Sequence, residues 1–508
     1  MPPEPLSVPS PIARLSPRQQ ELLLRHLVAR RAAASRDTIP RRGAGDGRFC
    51  LSFAQQSLWF LDRLQPGNAA YNVSEALRLA GGLDRAALAA ALAEIVRRHD
   101  VLRATFELAK GEPVQRIAPH RGRALPLVDL AGLPPGAGQA ELHRLAAAAA
   151  AAAFDLAKGP LYRFVLVACG DGQHALLLDL HHSVCDAWSM SILFDELRIA
   201  YRGFAAGHRE RLPPLPIQYT DFAAWQREWL QGEELARQIA YWRQRLAGAP
   251  DTLVLPADRP RPLAATAAGD RLQLELPPHC EAPLRALAQR EGATLFMVLL
   301  AVFGALLGRY TGQQDLLLGS PIANRSRPEV ERLIGLFVNT LVLRLDLAGA
   351  PGLRRLVTRV RETCMGAFSH AELPFERVVA AVQPERDLGR SPLFQVLFEL
   401  LPPPPAAGAQ RAGDLTATPL ASCNRLAKFD LDLSLADAAG RLVGWLEYST
   451  DLFDRTTVWR LGRHLVRLLE GGAADPEAPL AELSIWSAAE RHQLLWEWND
   501  TAADWPRE

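Results

Sequence analysis

The chain has few cysteines, and no two are close together. Six are spread over 508 residues, at Cys50, Cys169, Cys185, Cys280, Cys364 and Cys423, without a C-x-x-C spacing. That counts against a disulfide framework or a structural zinc module and suits a reducing, cytoplasmic compartment. An excess of either charge is lacking too: 57 Lys+Arg face 56 Asp+Glu, which gives no indication of a nucleic-acid partner. The polar, proline-rich N-terminus has no apolar core of the signal-peptide kind. The longest uncharged stretch, Gly292 to Gly308, is bounded by Glu291 and Arg309 and carries Gly304. It falls short of the roughly 20 residues of a membrane span and reads as a buried core helix. The expectation is a soluble, monomeric chain with no membrane partner. There is no G-x-S-x-G elbow and no phosphate-binding glycine loop.

What is present is a large apolar core, with 49% hydrophobic residues, and length enough for about three average domains or two large lobes. The most informative stretch runs from His181 to Ser189, HHSVCDAWS. An apolar run from His174 to Leu180 precedes it and reads as a buried strand. After it, Ile192, Leu193, Leu197 and Tyr201 fall near helical spacing. His181, His182 and Asp186 thus sit on a strand-to-helix loop. Adjacent residues of an extended segment point to opposite faces, so only one of the two histidines faces a given cavity. That disfavours a metal site despite Cys185 and Asp186. The bland alternative is one core histidine and one surface histidine beside a helix cap. Two histidines, an aspartate and a tryptophan at one strand end tip the balance to a catalytic loop.

Elsewhere, Ser52 and Gln55 form a capping box ahead of a helix carrying Leu58, Trp59, Phe60 and Leu61. Tyr71 to Leu79 reads as a strand, and Asp84 caps an alanine-rich helix. Leu161–Cys169 and His174–Leu180 form a hairpin around Gly170-Asp171-Gly172. Ala146 to Ala153 is helical by propensity, as is a short amphipathic segment from Pro17 to Arg31. A charged helix from Glu233 to Leu246 leads to a proline-rich crossover between two lobes, Pro250 to Pro262. Strands then alternate with helices again, ending in a hairpin, Phe429–Leu435 with Leu442–Tyr448, and a helix over 455–470. Pro402 to Gly408 reads as an exposed loop.

HHSVCDAWS resembles the HHxxxDG motif of condensation domains of nonribosomal peptide synthetases, which are acyltransferases related to chloramphenicol acetyltransferase. Ala187 stands where that motif has glycine. Ser52 to Leu61 resembles the opening SxAQxRLWFL motif, and Arg97 to Phe106 the RHExLRTxF segment. Tyr219 to Gln226 is similar to YxDYAxWQ, Gly319 to Arg325 to GxPxxxR, and Ile334 to Thr340 to IGxFVNT. His370 to Glu376 is similar to HxDxPFE, and Arg386 to Gln395 to RDxSRNPLFQ. The motifs come in the family's order from Leu51 onward, and the opening one looks most like domains joining an L-donor to an L-acceptor.

The resemblance implies an α/β fold of two chloramphenicol acetyltransferase-like lobes in a V-shaped pseudo-dimer with a central tunnel. Residues 48–226 would be the N-terminal lobe and 227–485 the C-terminal lobe. Residues 1–47 would be a linker or docking extension, and 486–508 a linker toward an adenylation domain. His182 is implied as catalytic, with His181, Asp186 and Arg325 in support. Asp186 is expected to pair with Arg325 (Arg103 is the second candidate) and to face away from substrate. Ala187, Trp188 and Ser189 are acceptor-channel candidates. No metal and no bound cofactor are implied, since 4′-phosphopantetheine arms of upstream and downstream carrier domains would bring both substrates. The reaction implied is amide formation between a donor acyl thioester and an aminoacyl acceptor, as in antibiotic and lipopeptide biosynthesis. Two rivals remain open: a starter domain taking a fatty acyl group, from acyl-CoA or a carrier, which a start at Met1 would suit, and a silent carrier-recruiting platform. Sequence leaves His182 either a base or an orienting group for the amine.

Overall fold

The computed structural model describes residues 38–43, 47–208, 212–250, 252–263, 266–349, 351–384, 389–401, 410–412, 415–420, 426–438 and 440–501. The helix expected at Pro17–Arg31, the exposed loop at 402–408 and part of the segment beginning at Arg386 lie outside these residues.

The first half of the chain contains β1 (Arg48–Cys50), α1 (Phe53–Leu64), β2 (Asn72–Ala80), α2 (Arg85–Arg98), β3 (Ala104–Ala109), β4 (Glu112–Ile117), β5 (Leu127–Asp129) and α3 (Pro135–Ala151). It continues with β6 (Tyr162–Gly170), β7 (Gln173–His181), α4 (Ala187–Ala205), α5 (Tyr219–Trp229) and α6 (Gly232–Leu246). The second half contains β8 (Gly269–Glu275), α7 (Pro278–Arg290), α8 (Leu295–Thr311), β9 (Asp315–Ile322), β10 (Asn339–Asp346), α9 (Leu353–Phe368), α10 (Phe375–Val382) and β11 (Val396–Leu401). After these come β12 (Gln410–Ala412), β13 (Leu415–Pro419), β14 (Leu431–Ala438), β15 (Arg441–Ser449), α11 (Arg455–Ala474) and α12 (Ala488–His492).

Two six-stranded sheets organise these elements. The first has the order β12-β13-β2-β7-β6-β5 and the second β10-β9-β11-β14-β15-β8; a small sheet orders β1-β4-β3. The expected hairpins form, with β6 and β7 antiparallel and β14 and β15 antiparallel. Cross-strand partners share a face. On the first sheet Leu176, Leu178 and Leu180 of β7 therefore pack into one core with α2 and α4. Val167, Ala175 and Leu177 face the other way, against Leu142 and Leu145 of α3. The apolar run from Gly292 is the buried helix α8, capped by Thr294. No single helix among the described residues is long and apolar enough to cross a membrane.

The two lobes are not contiguous in sequence. β13, from the second half, pairs with β2 of the first sheet. Leu333, Ile334, Leu336 and Phe337 also belong to the first core, while Phe53 of α1 belongs to the second. Strand hydrophobicity gives no sign of such an exchange, because alternation marks a strand without specifying which sheet it joins.

A three-member hydrogen-bond chain fixes one of these crossings. Ser52 Oγ accepts the Gln55 N–H at 3.1 Å, and Gln55 Oε1 accepts the Ser52 N–H at 3.1 Å. Tyr219 Oη donates to the Leu336 carbonyl at 2.6 Å, so its single proton is used. The Ser52 hydroxyl, 2.8 Å away, must therefore donate to Tyr219 Oη. Ser52→Ala removes a helix cap and leaves buried polar atoms unpaired. Chemical denaturation should register a loss of roughly 1–3 kcal/mol.

Candidate functional site

β7 ends at His181, and the chain turns through one 3₁₀ turn, His182–Val184, before α4 begins. The two histidines therefore part company because the strand stops between them, not because both are extended. His181 is 4% exposed. Its Nδ1 accepts the Ser183 N–H at 3.2 Å, and its ring meets Phe154 edge-on at 6.1 Å. Its pKa is lowered to about 3, first by burial and then by the charges of His182 and Lys428. It acts locally as the cap of the 3₁₀ turn.

His182 keeps some exposed surface. Its Nδ1 lies 2.8 Å from the Cys185 carbonyl oxygen. A carbonyl only accepts, so Nδ1 carries the proton and Nε2 keeps its lone pair. The His182 N–H donates to the Tyr71 carbonyl at 2.8 Å, which ties the turn to the start of β2. The pKa is lowered to about 4, by burial first and by the Lys428 charge second. Asp186 and the Cys185 carbonyl work in the opposite direction.

Asp186 caps α4 and is 2% exposed. Its Oδ1 accepts from the Ser189 N–H and the Ser189 hydroxyl, both at 2.7 Å, and from Arg325 Nη2 at 3.1 Å. Its Oδ2 accepts from the backbone N–H groups of Phe337 at 2.9 Å and Val338 at 3.3 Å. Arg325 is as deeply buried as its partner. Its Nη1 donates to the carbonyls of Val330 at 2.6 Å and Leu333 at 2.7 Å, and its guanidinium lies 4.1 Å from the Phe337 ring centroid. Every oxygen of Asp186 is thus committed to protein donors. Arg103 is engaged elsewhere, in an ion pair with Asp100 and with carbonyls at the end of α2.

The three channel candidates separate. Ser189 has no exposed surface, which corrects its placement in a channel. Its Oγ accepts from Gly335 N–H at 3.0 Å and Arg325 Nη2 at 2.9 Å, so it is a joint of the buried network. Trp188 is half-buried and its Nε1–H donates to the Glu331 carbonyl at 3.1 Å, across to the second half of the chain. Ala187 is exposed and is the first residue of α4, with no positive φ. Alanine there carries no backbone strain.

Lys428 was invisible to sequence reasoning, because no spacing links it to the histidine loop. Its Nζ lies 5.2 Å from the Tyr71 ring centroid. The side chain is exposed, yet surrounding protein desolvates it enough to lower its pKa. Behind it stands the polar face of the second sheet. Asp432 pairs with Glu447 across β14 and β15, and Glu447 with Arg271 across β15 and β8. Arg271 Nε reaches Glu447 at 2.7 Å, and the Ser434 hydroxyl donates to Glu399 at 2.6 Å. Burial raises the pKa of both Glu399 and Asp432. The opposite face of the same strands carries Leu433, Leu446 and Leu274 into the core beneath α7, α8 and α11.

A family model for the condensation domain matches residues 46–495. The chain belongs to the condensation-domain family. It is 45% identical over 461 residues to one of the linear gramicidin synthase proteins of Brevibacillus parabrevis, covering 90% of this chain and 9% of that protein. It is 43% identical over 501 residues to phosphinothricin tripeptide synthetase PhsC of Streptomyces viridochromogenes, covering 98% of this chain and 46% of that one. The chain therefore spans less than half the length of these relatives. Among solved structures, the X-domain from teicoplanin biosynthesis matches with a TM-score of 0.80 at 29% identity, covering 89% of this chain and 100% of that one. The first condensation domain of the calcium-dependent antibiotic synthetase matches in fold, with a TM-score of 0.72 at 23% identity, covering 87% of this chain and 100% of that one. The condensation domain is an amide-bond-forming acyltransferase of nonribosomal peptide synthetases, and its mixed α/β fold is that of the family.

Within this condensation domain, removing one partner of the buried Asp186–Arg325 pair strands the other charge. Asp186→Asn should therefore cost about 3–5 kcal/mol in denaturant unfolding. Gly335→Ala should harm the same joint, since a Cβ there would collide with the Tyr219 ring. A loss of roughly 1–3 kcal/mol is expected. Wild-type stability for Gly335→Ala would show that the loop moves freely.

Proposed function

We propose that this condensation domain joins a donor acyl or peptidyl thioester to the α-amine of an aminoacyl thioester, each delivered on the phosphopantetheine arm of a carrier domain. The observation that carries the reading is the fixed tautomer of His182, whose Nε2 keeps its lone pair, within electrostatic reach of Lys428. The amine nitrogen attacks the thioester carbonyl carbon, the C–N bond forms and the C–S bond breaks. The nitrogen sheds one proton, and the departing pantetheine sulfur ends as a thiol. His182 serves this chemistry best by accepting a hydrogen bond from the amine and aiming its lone pair at the carbonyl. An imidazole held at about 4 is a poor base toward an α-ammonium near a pKa of about 8. Positioning therefore outweighs bulk proton removal.

In this reading residues 48–226 and 227–485 form the two lobes, with residues 410–419 lent to the first, and 486–508 lead toward an adenylation domain. Ala187 and Trp188 border the acceptor side, His181, Asp186 and Arg325 support the loop, and the protein works in the cytoplasm. The unpaired state of the described cysteines supports that compartment.

The test is a condensation assay with loaded carrier proteins, comparing peptidyl, aminoacyl and fatty-acyl donors. His182→Ala should reduce turnover by about a hundredfold or more while circular dichroism stays unchanged. Unchanged turnover would remove the assignment, and preference for a fatty-acyl donor would identify a starter domain. Lys428→Met gives a second expected outcome. The ammonium lowers the His182 pKa, so its removal raises that pKa from about 4 toward the ordinary 6.5. Neutral His182 then persists only at higher pH. The acid limb of the pH–rate profile should move upward, and an unmoved limb would mean that the His182 charge state does not govern the rate.

A further inference from the structure

The helical side of the second sheet, opposite the face behind Lys428, brings together three side chains of different ligand type. His279 and Cys280 are the second and third residues of α7, and Glu470 lies on α11. His279 Nε2 and Glu470 Oε1 are 3.4 Å apart, and one potential ligand atom from each of His279, Cys280 and Glu470 lies within 4.8 Å of the other two. Cys280 is 1% exposed, whereas His279 is open to solvent. The thiol forms the floor of a small cup and the imidazole its rim.

Neighbouring contacts hold the cup in shape. Glu470 Oε2 is held by Arg467 Nη1 at 3.0 Å, which leaves Oε1 turned toward His279. Glu281 is buried, and its Oε1 accepts the Leu442 N–H at 2.6 Å. It adds negative charge next to Cys280 without being free to coordinate. The positive end of α7 opposes a cation but favours a thiolate, and the full charges of Glu470 and Glu281 outweigh that partial charge.

We propose that His279, Cys280 and Glu470 form a site for a borderline-soft divalent cation of the Zn²⁺ class, stapling α7 to α11, with the fourth position left to water. The set of one sulfur, one imidazole nitrogen and one carboxylate oxygen is suited to such an ion. Bond lengths of about 2.0–2.3 Å require the ligand atoms to draw in slightly, which the exposed His279 side chain can do by changing rotamer. The site lies across the sheet from the histidine loop, so it is distinct from the condensation machinery.

The test titrates the metal-free full chain with Cd²⁺ and with Zn²⁺. One Cd²⁺ should bind per chain with a thiolate-to-cadmium ultraviolet absorption band, and the melting temperature should rise. Cys280→Ser should lose the band and the thermal shift. His279→Gln and Glu470→Gln should each weaken binding by about tenfold or more, at least as much as loss of an outer-shell partner costs. His279→Gln alters an exposed side chain, so it reads the site even if Cys280→Ser unfolds. Absence of stoichiometric binding, a band that survives Cys280→Ser, or affinity untouched by both His279→Gln and Glu470→Gln would overturn the proposal.

Discussion

The Asp186 carboxylate is buried at the junction of both halves of the chain, and five donor groups of Ser189, Arg325, Phe337 and Val338 converge on it. A carboxylate in that position is tolerable only when fully bonded, because leaving water costs several kcal/mol per ion. The requirement works in both directions along the chain. It fixes the first turn of α4, and through that turn the loop bearing His182. It also pins the 330–338 segment, which carries Leu333, Ile334 and Phe337 into the first core. The placement of the histidine loop and the packing of the 330–338 segment are both tied to that one buried charge.

A second electrostatic layer rests on that frame. His182 is desolvated by its surroundings, pushed further toward the neutral form by Lys428, and drawn back by Asp186. Lys428 in turn answers to Glu447, Asp432 and Glu399 on the sheet behind it. Burial first and the Lys428 charge second therefore favour the neutral imidazole of His182. Unfolded histidine takes up protons below pH 6.5, whereas folded His181 and His182 resist them down to about 3 and about 4. Both make the native state less stable as pH falls through that window, because the unfolded chain then binds more protons.

The same second sheet separates two chemistries. One face carries Glu399, Asp432, Glu447 and Arg271, and the other buries Leu433, Leu446 and Leu274 under helices. Strand alternation alone allows this division, since successive residues point to opposite sides. The His279, Cys280 and Glu470 group belongs to the helical side. Its three side chains come from two helices, α7 and α11.

Much of the fold was legible in the sequence because its signals are local. The capping box at Ser52, the cap at Asp84, the hairpin turn around Asp171 and the apolar run of α8 each depend on residues within a few positions. The histidine loop was legible for the same reason: a strand, a polar turn and an amphipathic helix lie side by side. Whatever required distant segments to meet was decided only by tertiary structure. The buried fate of Ser189 follows from Arg325 and Gly335, more than a hundred residues away. Lys428 comes within electrostatic reach of His182 because the two halves pack together, and β13 joins the first sheet by pairing with β2. Sequence determined which segments are strands, helices and candidate chemistry. Which charges face one another, and which hydroxyl is buried, depended on long-range packing and desolvation, which short-range spacing does not encode.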